Sequence, residues 1–353
     1  MQLSVLDQSL VSAGHAPAQA IRDSVSLARA CEGFGYRRFW VSEHHGNAGV
    51  AGSAPEVLLG ALAIATHTMR IGSAGVMLPH YAPLKVAEQF RVLEALAPGR
   101  IDLGLGRGPG ADRQTAYALK PNALDNPFAM SAMDSFPANV EDTLALVRSE
   151  PLGDDHVFAG VFAQPHGPTA PQPWIVGSGT YSARLAGRLG LPFCHAHFFG
   201  SGSEAAQAIG AYRASFRASP ILTEPLVGLC LIAMAAPTSA EAERLFLSYA
   251  PWRVSRDAGR MVPLQPPDQA ITAAVRLDQD TIQHLRKTAV FGTSDEVYAR
   301  IAGLKTDYAI DEMVILAPAY ELSDRMTSYG LIAGINQTQA TEDRPGRASE
   351  FWL

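Results

Sequence analysis

Residues 2–8 (QLSVLDQ) alternate apolar and polar side chains, the two-residue period of a strand. A helical period follows. Pro17 stands where a first-turn proline would, and Ile21, Val25, Ala28 and Cys31 recur three or four apart until Gly33 and Gly35 end the run. The same two signals repeat along the chain. They predict further strands over 38–42, 70–78, 100–105, 173–177, 191–195, 226–234 and 311–316. They predict helices over 54–66, 83–96, 137–149, 180–190, 203–218, 238–249 and 294–304. Ser53 with Glu56, and Thr293 with Glu296, have the spacing of capping boxes at two of these helix starts.

Strands alternating with helices imply a parallel sheet covered by helices. Eight such units in one chain favour an α/β fold of the closed (β/α)8 barrel type over an open sheet. Two long stretches rich in turn-forming residues, 107–170 and 251–290, break the rhythm after strands four and seven. In a barrel both are insertions at the carboxyl ends of the strands, the face where barrel enzymes keep their chemistry. The chain reads as one domain over 1–335 with a tail over 336–353. That tail begins polar and ends in Phe351 and Trp352, so it either hangs loose or docks on a partner subunit.

Composition narrows the class. Of 353 residues, 47% are hydrophobic and 18% charged, the profile of a globular chain with a large core. The net charge is −6 and no basic run exists, which argues against nucleic acid as a partner. The start of the chain, MQLSVLDQSLV, lacks the basic and long apolar regions of a signal peptide. No apolar run approaches the roughly 18 residues a membrane span needs; the longest, 226–236, is of strand length. Cys31, Cys194 and Cys230 are far apart and set among apolar residues, which suits buried thiols in a reducing cytoplasm.

Chemistry concentrates where strands stop. The apolar strand at 38–42 runs into Glu43-His44-His45-Gly46, placing imidazoles beside a cleft rather than in a core. Adjacent residues on a strand face opposite ways and no carboxylate cluster completes a shell, so a metal site is not expected there. Gly177-Ser178-Gly179-Thr180-Tyr181-Ser182 joins a strand to a helix. It is either an ordinary N-cap or, given its density of glycine and hydroxyls, a phosphate seat on free backbone N–H groups. The turn at 104–110, GLGRGPG, is not a dinucleotide fingerprint, since Pro109 stands three after Gly106. It presents Arg107 either to solvent or to the same phosphate. Gly72-Ser73-Ala74-Gly75 weakens its strand unless something flat approaches its backbone, although small residues also fill a tapering barrel. His195 and His197 share a face at the end of strand six, either at the mouth or as satisfied rim residues.

Taken in order, WVSEHHG at 40–46, the run from RIGSAGVML to GLGRGPG at 70–110, GSGTYSARLAGRLGLPF at 177–193 and VFGTSDEVYARI at 290–301 resemble the bacterial luciferase-like, flavin-dependent monooxygenase family. The resemblance covers most of the chain and implies a (β/α)8 barrel. It implies that reduced FMN lies across the mouth and reacts with molecular oxygen to a hydroperoxide that oxygenates a small-molecule substrate. The phosphate would meet Arg107, Ser178, Tyr181 and Ser182 in the Gly177–Gly179 turn, and the ring would lie on Ala74-Gly75, a family position for a cis peptide. His44 would be the acid/base and Glu43 its anchor. The segment 251–290 would be a mobile loop shielding the site from water. A separate flavin reductase would supply the electrons, because no nicotinamide fingerprint is visible, and the barrel would pair as a homodimer. Other relatives use a deazaflavin for hydride transfer, or serve as non-catalytic flavin-binding subunits. The Glu43-His44-His45 triplet leans to FMN, and His44 together with Arg107 to a catalytic chain. The stretch 120–136, with Met130 and Met133, is longer than the family pattern and leaves the substrate open.

Overall fold

Side chains that alternate along the strands fall into two apolar layers, and a closed barrel is the arrangement that buries both. The computed structural model describes residues 1–120, 135–199 and 204–342. The strands β1 (Gln2–Asp7), β2 (Arg38–Val41), β3 (Arg70–Met77), β4 (Ile101–Gly106), β5 (Gln172–Gly177), β6 (Phe193–Ala196) and β7 (Val227–Ala236) pair in parallel with their neighbours in sequence. β9 (Glu312–Leu316) pairs with β7 on one side and β1 on the other, which closes an eight-strand barrel. Outward residues such as Phe39, Val41, Leu103, Phe193, Leu231 and Ile315 pack under the helices. Inward residues such as Leu6, Trp40, Trp174, Cys194, Ile232 and Val314 fill the interior.

The helices are α1 (Pro17–Gly33), α2 (Pro55–Ala65), α3 (Pro83–Leu96), α4 (Arg113–Leu119), α5 (Phe136–Val147), α6 (Thr180–Arg188), α7 (Glu204–Ser215), α8 (Ser239–Asp257), α9 (Pro267–Ala274), α10 (Gln279–Thr288), α11 (Ser294–Tyr308) and α12 (Leu322–Glu342). None is long and apolar enough to cross a membrane. The floor of the barrel is charged. Arg38, fully buried, donates to Asp102 at 2.9 and 3.0 Å and to Glu312 at 2.8 and 3.1 Å. Trp40 Nε1 and Arg70 also donate to Asp102, and Ser4 donates to Glu312. A buried charge is tolerated only with partners of this kind.

Three expectations need correction. The stretch 251–290 is mostly regular: α8 continues through Pro251 to Asp257, α9 and α10 follow, and β8 (Ala289–Thr293) adds a ninth strand on the far half of β7. Its prolines were read as breakers, yet buried Tyr249, Ala250 and Trp252 carry α8 across Pro251, and Pro267 stands in the first turn of α9. Ser53 does not cap α2; Ala54 holds that position with no side-chain bond, and the Glu56 carboxylate accepts from Gln89 instead. The Thr293–Glu296 box does form. Finally, the sequence reading assigned no helix after 311–316, yet α12 packs Leu322, Met326, Tyr329, Ile332 and Ala333 on the core, with Arg325 and Ser328 buried beside them. It ends at Glu342. Residues 343–353, with Phe351 and Trp352, and 121–134, with Met130 and Met133, lie outside the described residues.

Candidate active site

Along β2 the inward residues are Arg38 and Trp40, and the same alternation carries Ser42 and His44 inward just beyond the strand. A hydrogen bond of 3.1 Å joins Ser42 Oγ to His44 Nδ1, and the His44 N–H donates to the Gly52 carbonyl at 2.9 Å. Glu43 points the other way. Its carboxylate accepts from His45 Nε2 at 2.7 Å, from the Tyr81 hydroxyl at 2.7 Å and from the Met77 N–H at 3.0 Å. Glu43 therefore anchors His45 and the loop after β3, not His44 as expected.

His44 faces a cavity of about 1140 Å³ at the carboxyl ends of the strands. Small-molecule sites commonly span roughly 300–1,000 Å³, so a cofactor and a substrate fit together here. His44, Ala74, Gly75, Arg107, Gly177, Ser178, Gly179, Tyr181 and Ser182 all line it; Glu43 does not. Burial first, then the charges of Arg256 and His45, push the His44 pKa down to about 4, so its imidazole is neutral at pH 7.

The Gly177–Ser182 turn is not an ordinary cap. Gly179 occupies the N-cap of α6 with no side-chain bond, and a Cβ built there would find no atom within 4 Å. The first N–H groups of α6 thus open on the cavity, where a helix end favours an anion. Arg107 stands beside them, its guanidinium carbon 4.2 Å from the centre of the Tyr181 ring. This is the chemistry of a phosphate seat, and the residues present fit one.

The small residues of β3 answer their neighbour strand first. A Cβ on Gly75 would lie 2.8 Å from the Gly104 carbonyl oxygen, and one on Gly104 would lie 2.1 Å from that of Ser73. Only Ala74 and Gly75 of the four reach the cavity, and the peptide between them is cis. His195 and His197 face away from it; Cys194, Ala196 and Phe198 are the lining residues of β6 and the turn after it. Burial lowers the proton affinity of both histidines, that of His195 to about 4.

The far wall comes from the segment expected to be a mobile loop. Arg256, Asp257, Gly259 and Met261 line the cavity. Backbone bonds from Gly49 N–H to the Met261 carbonyl, and between Leu264 and Val11, tie this wall to the loops after β1 and β2. Arg256 was not singled out from the sequence. Its only signal there is a charge among aromatic and apolar neighbours in SYAPWRVSRD, and the partners that give it meaning are distant in the chain.

The luciferase-like monooxygenase family model matches residues 1–310. The N-acetyl-S-alkylcysteine monooxygenase of Bacillus subtilis (strain 168) is 36% identical, over 94% of this chain and 97% of that protein. The crystal structure of apo-MsnO8 superposes with a TM-score of 0.85 at 32% identity, covering 95% of this chain and 98% of that one. The oxygenating constituent of 3,6-diketocamphane monooxygenase from Pseudomonas putida, in complex with FMN, shares the fold at a TM-score of 0.70 and 19% identity, covering 94% and 96%. The barrel, its mouth and these matches agree, and the chain belongs to the luciferase-like monooxygenase family.

Proposed function

We propose that this protein is the oxygenating component of a two-component monooxygenase, using reduced FMN and molecular oxygen on a small organic substrate. The observation that carries the reading is one cavity holding both an uncapped helix N-terminus beside Arg107 and a neutral His44. Arg107, Ser178, Tyr181 and Ser182 hold the FMN phosphate, and Ala74-Gly75 supports the ring. Reduced FMN, when bound, supplies the electrons that activate oxygen. His44 is neutral and held by Ser42, so it is placed to accept and return a proton at its free ring nitrogen. Glu43 supports the site through His45. Trp40, Phe198 and Met261 keep the pocket apolar and exclude water.

A separate flavin reductase fits a chain without a nicotinamide fingerprint. A homodimer fits the outer faces of α2 and α3, where Val57 and Ile64, and Val92 and Leu96, are exposed. A cytoplasmic location fits three free, buried cysteines. The B. subtilis relative, by its name, acts on N-acetyl-S-alkylcysteine, so thioethers are the first substrates to try. The test loads the protein with reduced FMN, adds ¹⁸O₂ and a thioether panel, and follows products by mass spectrometry. One labelled oxygen in a product is the expected result. Stabilisation by a deazaflavin but not by FMN would overturn the reading.

A further inference from the structure

Arg256 lies in the last turn of α8, is only 9% exposed, and lines the cavity. Its guanidinium is incompletely used. Nη2 donates to the Phe198 carbonyl at 2.7 Å, and Nε and Nη2 reach Asp257 Oδ1 at 3.3 and 3.2 Å. Nη1 is buried with no hydrogen-bond partner among the described residues. Asp257 cannot neutralise it, because Arg253 claims the same carboxylate at 2.7 and 2.9 Å. Two guanidinium groups against one carboxylate leave one positive charge at the cavity wall.

The group is also held in place. Its central carbon sits 5.3, 5.5 and 5.8 Å from the ring centres of Phe199, Phe198 and Trp252, a distance range for cation–π contact. A buried donor left unpaired is costly, and more so when charged. A ligand anion would remove that cost.

We infer that Arg256 seats a carboxylate of the substrate, so that the molecules oxygenated here are small organic acids; the word substrate rests on the monooxygenase reading. The flavin phosphate has its own seat after β4 and β5, whereas Arg256 projects from the helix after β7. It lines the same cavity as His44, whose proton affinity burial and then the Arg256 charge depress. The other titratable groups around this pair are His45 on the loop after β2 and Tyr249, Arg253 and Asp257 on α8. A carboxylate on Nη1 would screen Arg256 from His44 and bring the reacting part of the substrate to the side of the mouth where His44 stands. Arginine, with its planar fork, is the side chain suited to such a carboxylate.

The experiment measures binding, not turnover. FMN-loaded protein is titrated calorimetrically with N-acetyl-S-methylcysteine, 3-(methylthio)propanoate and hexanoate, and with the methyl ester of each. In the wild type at least one acid binds ten-fold or more tightly than its ester. In Arg256→Met the two bind within about two-fold, while FMN affinity stays within three-fold. Should Arg256→Met fail to fold, Arg256→Gln, which retains a donor for the Phe198 carbonyl, takes its place. Equal binding of acid and ester, no acid binding at all, or an unchanged preference in the variant would each overturn the inference. So would a collapse of FMN affinity in the variant, which would give the guanidinium to the flavin. If the wild type binds no FMN, the monooxygenase reading fails instead, and the acid–ester ratio is still read on the flavin-free protein.

Discussion

Replacing Arg107 by alanine tests the phosphate seat most directly. Among the described residues the guanidinium has no carboxylate partner; its recorded neighbour is the Tyr181 ring, 4.2 Å from the guanidinium carbon to the ring centre. That stacking holds the group beside the open N-terminus of α6. A hydrogen bond to a charged group contributes about 1.5–3 kcal/mol, and the half-exposed mouth argues for the lower part of that range. A loss of about 2 kcal/mol is roughly 30-fold in Kd. Riboflavin has the same ring and no phosphate, so its affinity should change by less than about three-fold. The assay is flavin fluorescence quenching with FMN and riboflavin in parallel, repeated at low and high salt. The FMN effect should shrink with salt because the site is only half-buried. Equal losses for the two flavins, or no loss for FMN, would refute the assignment.

Three further outcomes follow from the same geometry. Folding depresses the proton affinity of His44 and His195 from the ordinary value of 6.5 to about 4. Between those pH values the unfolded chain binds more protons than the folded one, so stability should fall as pH drops from 6.5 toward 4; urea midpoints at pH 7 and pH 5 check this, and His44→Gln should flatten the slope. Arg38→Met leaves Asp102 and Glu312 buried without their shared cation, which should cost about 3–5 kcal/mol, read from the same urea transitions. Ile64→Lys combined with Val92→Asp should shift a dimer to monomer in light scattering while leaving the circular dichroism spectrum unchanged; a monomeric wild type would refute the dimer.

The features legible in advance were those carried by neighbouring residues. The strand period, the glycine-rich strand-to-helix turn at 177–182, and a histidine just beyond the end of a strand are all local patterns, and each survives in the structure. Glu43 shows where local reading stops. The alternation placed it opposite His44, but its partners, the Met77 N–H at the end of β3 and Tyr81 on the loop after it, are distant in the chain. The same holds for His195 and His197. Being at a strand end did not decide which face of the sheet they would take; the inward places at β6 went to Cys194 and Ala196.

The sequence by itself determined the barrel, because eight amphipathic βα units can bury their two-sided strands in few other ways, and it determined that chemistry would gather at the carboxyl ends. Tertiary structure alone decided what Arg256 is. Its charge is left over only because Arg253 shares Asp257, and its fork is fixed only because Phe198 and Phe199, far back in the chain, close around it. On α12 the apolar face is a local pattern, but the partners of its buried Arg325 and Ser328, in Asp7, Asp23 and β7, come from distant parts of the chain. Periodicity reports which side of an element is apolar. It carries no record of which distant groups will meet a buried polar one, and at this site those meetings set the charge.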